Sequence, residues 1–299
     1  MRIGIDLGGT KIAGIAIADD DEVLASARVP TPRGDYSASV SAISDMVSEL
    51  AAKAKTRDYS VGIGMPGSVS PMTGKVQNAN STWINGRHFQ SDLEAALDCR
   101  VRLANDANCL AVSEACDGAG KAAASVFGVI LGTGCGGGLV VNGTAVSGHH
   151  CIGGEWGHNP LPWAEGPELP GPACWCGRSG CLETWLSGPG LSNDHHTRTG
   201  KQLPAEQIAV NAGAGDADAI ATLARHLDRC GRGLAHVVNI FDPEIIVLGG
   251  GLSGLDGLVD RLPGAIAPYV FADAVDIRVE AAMHGPESGV RGAARLWPQ

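Results

Sequence analysis

Two glycine-rich turns of one design constrain this chain more than anything else in it. The first is Gly4-Ile5-Asp6-Leu7-Gly8-Gly9-Thr10-Lys11 and the second is Gly128-Val129-Ile130-Leu131-Gly132-Thr133-Gly134-Cys135-Gly136-Gly137-Gly138. Each leads from one apolar strand into another, over residues 12–18 in the first case and 139–141 in the second. Glycine removes the Cβ that would hold a polyphosphate away from the backbone, and successive N–H groups in such turns form an anion-binding nest. A third glycine turn, Gly249-Gly250-Gly251, follows the apolar stretch 245–248. Two nests of the same build imply two halves gripping one nucleotide. The copies differ in one respect, because Ile130 stands where the first turn has Asp6.

Around these turns the chain alternates strand and helix patterns. Val40, Ile43, Met46, Val47 and Leu50 recur at helical spacing and predict a helix over 37–54. A buried strand over 61–65 is broken by Pro66-Gly67, and a helix over 91–97 leads to a strand over 101–104. After Asn105-Asp106 a helix runs to 116, and a hairpin over 125–141 restarts the N-terminal pattern. Ile220, Leu223, Leu227, Cys230, Leu234, Val238 and Phe241 predict one long helix over 216–241 with a single buried face. A helix over 255–262, a strand near 277–280 and a helix over 289–296 complete an α/β pattern. Gly118-Ala119-Gly120 reads as a hinge, which divides the chain into an N-terminal lobe over 1–117, completed by a C-terminal helix within 285–299, and a second lobe over 118–284. Over 149–181 Pro160, Pro162, Pro167, Pro170 and Pro172 exclude regular structure, and a loop that long needs a function or a staple.

Composition narrows the ligand. Among 299 residues, 44% are hydrophobic and the formal net charge is -10, which opposes a nucleic-acid or anionic-membrane surface but allows one small anion held by backbone N–H groups. No stretch approaches the roughly 20 apolar residues of a membrane span, and the chain opens directly on a strand, so a cytoplasmic protein is expected. Nine cysteines in a chain of this size are not a disulfide framework. Cys99, Cys109, Cys116, Cys135 and Cys230 sit in apolar settings and are expected to be buried thiols, while Cys151 stands alone in a loop.

Four groups of residues carry chemistry. Asp6, beside Thr10 and Lys11, is placed to hold a hydrated Mg²⁺ against nucleotide phosphates while the turn amides take up their charge; a plain turn cap is the alternative. Asp106, at a strand end, suits a general base that accepts the proton of an attacking hydroxyl, or an N-cap of the helix it begins. Asn105 offers a donor and an acceptor to a vicinal diol. Glu155, Trp156, His158 and Glu183 gather hydrogen-bonding groups and an apolar face of the kind a polyhydroxylated sugar needs. Cys174, Cys176 and Cys181, three thiols within eight residues, can converge on one Zn²⁺ with His158 as the fourth ligand. That ion would staple the loop over 149–181 and so shape the pocket around Glu155.

At these residues the chain resembles the sugar kinases of the ROK family, within the actin-like ATPase superfamily. Asp6 to Lys11 and Leu131 to Gly138 are similar to its two phosphate motifs, Asn105-Asp106-Ala107-Asn108 to its catalytic segment, Glu155-Trp156-Gly157-His158 to its sugar and zinc segment, and Cys174 to Cys181 to its C-x-C-G-x-x-G-C zinc signature. The resemblance implies a two-lobed α/β fold of the ribonuclease H-like kind with a zinc-stapled loop. It implies ATP, Mg²⁺ and a structural Zn²⁺ as cofactors, and a homodimer with no nucleic-acid or membrane partner. Gly8, Gly9, Thr10, Lys11, Gly132, Thr133, Gly134 and Gly249 to Gly251 would contact ATP with Asp6, and Gly67, Asn105, Asp106, Glu155, His158 and Glu183 would line the hexose site at the lobe junction. Asp106 would act as base in phosphoryl transfer to a hexose 6-hydroxyl. The segments Gly64 to Pro71, Asn78 to Gly86 and Gly157 to Trp163 most resemble bacterial fructokinases, so fructose is the expected substrate, with N-acetylglucosamine or glucose as the alternative. The family also contains sugar-sensing repressors, but Asp6 arrives with no room for a helix-turn-helix before it.

Overall fold

The computed structural model describes residues 1–297. Two five-stranded sheets dominate it. In the first, β1 (Arg2–Leu7) pairs antiparallel with β2 (Lys11–Ile17), and β2 antiparallel with β3 (Val23–Pro30). On its other side β1 runs parallel to β4 (Ser60–Met65), which runs parallel to β7 (Val101–Asn105). Between those two, β5 (Ser68–Val69) and β6 (Val76–Gln77) form a separate short ribbon. The second sheet repeats the plan with β8 (Ser125–Leu131), β9 (Cys135–Val141), β10 (Thr144–Ala145), β11 (Ile245–Gly249) and β12 (Val279–Ala281), in the order β10-β9-β8-β11-β12. The central parallel strands β4, β8 and β11 read as nearly continuous apolar runs because both their faces are covered, whereas the edge strands β7 and β12 do not.

Helices follow the sequence closely where they have an apolar stripe. α1 (Tyr36–Lys53) buries Ile43, Met46, Val47 and Leu50 against the first sheet and is capped by Asp35, whose side chain accepts from the Ala38 N–H. α2 (Phe89–Leu97) and α3 (Asp106–Asp117) follow. Around the second sheet lie α4 (Glu183–Leu186), α5 (Gly188–Thr199), α6 (Ala205–Gly213), the 25-residue α7 (Ala217–Phe241) and α8 (Leu258–Ile266). The last helix, α9 (Ser288–Ala294), packs on β1 and β4, and the final two positions of the stretch expected over 285–299 lie outside the described residues. Its approach requires glycine: a Cβ on Gly62 would come 1.9 Å from the Ala293 carbonyl oxygen, and one on Gly292 1.7 Å from that of Cys109 in α3.

The chain divides into two compact units, residues 1–118 with 138–154 and 286–299, and residues 119–137 with 155–285. No helix among the described residues is long and apolar enough to cross a membrane. One expectation about the thiols fails. Cys109, Cys135 and Cys230 are buried, but Cys99 is half-buried and Cys116, on the last turn of α3, is exposed because an apolar neighbourhood in sequence does not fix which helix face a residue occupies.

Candidate functional site

In the first unit the site is assembled on the C-terminal ends of parallel strands. Asp6 is the fifth residue of β1, and the turn after it is closed by the Gly8 N–H donating to the Lys11 carbonyl at 3.0 Å. Thr31 Oγ1 donates to the Gly8 carbonyl at 2.7 Å and Arg33 Nε to that of Gly9 at 2.6 Å, so the turn carbonyls are tied back by the loop that follows β3. Two strands away β7 ends at Asn105, which is the N-cap of α3: its Oδ1 accepts from the Ala107 N–H at 2.9 Å. Asp106 therefore begins the helix instead of capping it, and its Oδ1 accepts from the same N–H at 2.8 Å. Asn105 Nδ2 donates to the Gly67 carbonyl at 3.3 Å, linking two residues of the expected sugar site.

The electrostatics single out the two carboxylates. Burial, then the negative charge of Asp106, push Asp6 up to about 6, against a smaller opposing pull from Lys11. Burial also raises Asp106, partly offset by the N–H groups it accepts from. A carboxylate held above its usual range is a stronger base when ionised, and two such groups in one neighbourhood form a ready cation site.

In the second unit the turn after β8 is closed by the Gly132 N–H donating to the Gly134 carbonyl at 3.0 Å, and the Gly188 N–H donates to the Gly132 carbonyl at 2.8 Å. The third glycine turn lies against it. Gly250 has φ 85° and a Cβ there would meet the Leu131 carbonyl oxygen at 2.3 Å, while Ser253 Oγ donates to the Gly250 carbonyl at 2.8 Å. Gly132, Thr133 and Gly134 are thus brought beside Gly249 to Gly251, as an anion cradle requires.

The cysteine loop adjoins this turn. Cys174 Sγ lies 3.6 Å from His158 Nδ1, Cys176 Sγ lies 3.6 Å from Cys181 Sγ, and the four ligand atoms are all within 4.8 Å of one another. A tetrahedral zinc with Zn–S bonds of about 2.3 Å spaces its ligands roughly 3.5–3.8 Å apart, so the donor set fits that ion in both chemistry and size. The loop is not shapeless: Gly166–Glu168 forms a 3₁₀ turn, and Pro160 bridges to Cys181 and Ala173 to Ser179. Glu155 precedes a second 3₁₀ turn, Trp156–His158, whose buried Trp156 donates from Nε1 to the Gly136 carbonyl at 3.0 Å.

Glu183 joins the two features. Its Oε2 accepts from the Cys135 N–H at 3.0 Å and its Oε1 from Trp175 Nε1 at 2.7 Å, which ties the cysteine loop to the residue that follows the glycine turn. Sequence reasoning did not find Trp175 as this anchor. Its position between Cys174 and Cys176 was the available signal.

Comparison with known proteins gives the lineage. The profile of the ROK family matches residues 2–299. The N-acetyl-D-glucosamine kinases of Yersinia enterocolitica and Shigella boydii are 38% and 40% identical to this chain, each over 99% of both sequences. Among solved structures, a ROK hexokinase from Thermus thermophilus is 32% identical with a TM-score of 0.86, over 99% of this chain and 96% of that one. A ROK glucokinase from Streptomyces griseus, solved with glucose and AMPPNP, is 28% identical with a TM-score of 0.81, over 99% and 98%. These findings bear out the two-sheet α/β fold and overturn the expectation of fructose. That expectation rested on three short segments, Gly64 to Pro71, Asn78 to Gly86 and Gly157 to Trp163, which weigh less than 38–40% identity over the full length.

Proposed function

The chain belongs to the ROK family, and from that premise we propose that it is an ATP-dependent N-acetyl-D-glucosamine kinase acting on the 6-hydroxyl. The observation that carries this reading is the end-to-end identity of 38–40% to kinases of that sugar, against 28–32% to the hexokinase and the glucokinase.

In this reading Asp106 accepts the proton of the 6-hydroxyl as its oxygen attacks the γ-phosphorus, and the raised basicity of the buried carboxylate favours that transfer. Asn105, fixed from both ends of its carboxamide, orients a sugar hydroxyl beside it. The Gly8 to Lys11 turn of the first unit, and the Gly132 to Gly134 and Gly249 to Gly251 turns of the second, would each present to phosphate oxygens those backbone N–H groups that do not close the turn. Asp6 would hold Mg²⁺, which supplies neutralisation of phosphate charge when bound. His158, Cys174, Cys176 and Cys181 would hold a structural Zn²⁺, and the resemblance further supports a homodimer, which sedimentation analysis reads directly.

The test is ADP release with N-acetylglucosamine, glucose, mannose and fructose under identical conditions. The highest kcat/KM is expected for N-acetylglucosamine. A higher value for fructose, or sugar binding without ADP from any of the four, overturns the proposal.

A further inference from the structure

The first unit contains a cavity of about 270 Å³ that shares Asn105 with the candidate sugar site. Its wall has two characters. Met65, Val69 and Leu103 contribute apolar lining, and Ser68, Asn105 and Asn108 contribute polar lining. Asn108 stands one helical turn beyond Asn105 on the same side of α3 and is 5% exposed. Its Oδ1 is buried with no hydrogen-bond partner among the described residues. A carbonyl oxygen in that state carries a desolvation cost that a ligand donor would remove. Ser68 Oγ accepts from Gln77 Nε2 at 3.2 Å, so its own O–H is the group with which it can donate.

Resting on the N-acetylglucosamine reading, we propose that this cavity is the subsite for the 2-acetamido substituent and that Asn108 is the residue that selects it. An acetamido group is an N–H donor, a carbonyl acceptor and a methyl group in one plane. The cavity offers an acceptor in Asn108, a hydroxyl donor in Ser68 and an apolar wall for the methyl. A sugar with a bare 2-hydroxyl fills little of that volume and leaves the apolar wall wet. A site built to hydrogen-bond a group rejects the analogue lacking it far more strongly than a merely apolar pocket does.

The experiment compares wild type, Asn108→Ala, Val69→Phe and Ser113→Ala. Ser113 is a second buried residue of α3 whose Oγ has no hydrogen-bond partner among the described residues, and it is not part of the cavity lining. KM for N-acetylglucosamine and the inhibition constant of glucose as a competing sugar are measured, with the melting temperature of each variant. For Asn108→Ala the KM should rise about tenfold with kcat within about threefold, while the glucose constant moves by less than about twofold. Val69→Phe, which fills the cavity from the β5 side without altering α3, should show the same selective loss, and Ser113→Ala should not. Parallel changes for both sugars in Asn108→Ala or Val69→Phe, or no change in either, overturn the subsite. A wild type that does not phosphorylate N-acetylglucosamine overturns instead the reading on which it rests.

Discussion

Asp106 and Asp6 are both buried carboxylates held above their usual range, one at the start of a helix and one near the end of a strand. Asp106 opens a helix whose cap is already supplied by Asn105, so its carboxylate is spare for chemistry. Replacing it with Asn keeps the shape and the acceptor oxygen but removes the proton-accepting charge. Asp106→Asn should therefore lower kcat by about 10²–10⁴-fold and leave the Kd for sugar within a few-fold. Single-turnover rates near wild type would sink the base assignment. Gly67 offers a test of geometry in place of charge. Its φ is 71° and a Cβ would come 2.3 Å from the Gln77 carbonyl oxygen, so Gly67→Ala should cost ~2–3 kcal/mol of stability. The same change should weaken sugar binding, because the Gly67 carbonyl accepts from Asn105. An unchanged denaturation midpoint would mean that the loop relaxes without cost.

The legible elements were those that own a signal. The two glycine hairpins, α1 and α7 carry apolar periods long enough to fix their type, and each ends within a few residues of where the pattern does. The missed elements lack one. β3 is an edge strand whose residues alternate between exposed and half-buried, without an apolar run. α5 reads Gly-Pro-Gly-Leu-Ser-Asn-Asp-His-His-Thr-Arg-Thr and buries Asp194 and His195, so its burial is polar and its helical period invisible. The convergence of His158, Cys174, Cys176 and Cys181 was readable because thiol spacing is local, whereas the use of Glu183 as a brace depends on Trp175 and Cys135, which only the folded chain brings to it. That brace makes a prediction for the loop as an element. Metal analysis should find about one zinc per chain, and Cys181→Ser or a strong chelator should lower the melting temperature by several degrees. Because Glu183 ties the loop to the phosphate turn, KM for ATP should rise together with the loss of metal. A zinc-free preparation melting at the temperature of the untreated protein would exclude a structural ion.

Two groups in the second unit contribute to the acid sensitivity of the whole molecule. Burial, with a smaller contribution from Arg229, holds His226 down at about 4 against 6.5 when unfolded. Glu168 lies in a network with Arg229 at 2.8 Å and Arg232 at 2.7 Å, and Arg229 also reaches Asp194 at 2.9 Å. Burial alone would raise Glu168, but the hydrogen bonds from Arg232 and Arg229 prevail and bring it to about 2, below its ordinary 4.5. Both shifts have the same consequence. A histidine whose folded value is depressed favours folding above 6.5 and loses that contribution as pH falls towards 4, because the unfolded chain binds the proton first. The depressed carboxylate loses its contribution in turn between 4.5 and about 2. At ~1.4 kcal/mol per pH unit each shift is worth ~3 kcal/mol at most. Unfolding free energies from urea titrations at pH 7.5, 5 and 4 should therefore fall for the wild type, and His226→Gln, though less stable at pH 7.5, should fall less steeply over that range. Reading the slope as a difference between the two proteins cancels any acid loss of a metal from the cysteine cluster, which both share. Equal slopes would place the acid sensitivity elsewhere and would mean that His226 is protonated in the folded chain as readily as in the unfolded one.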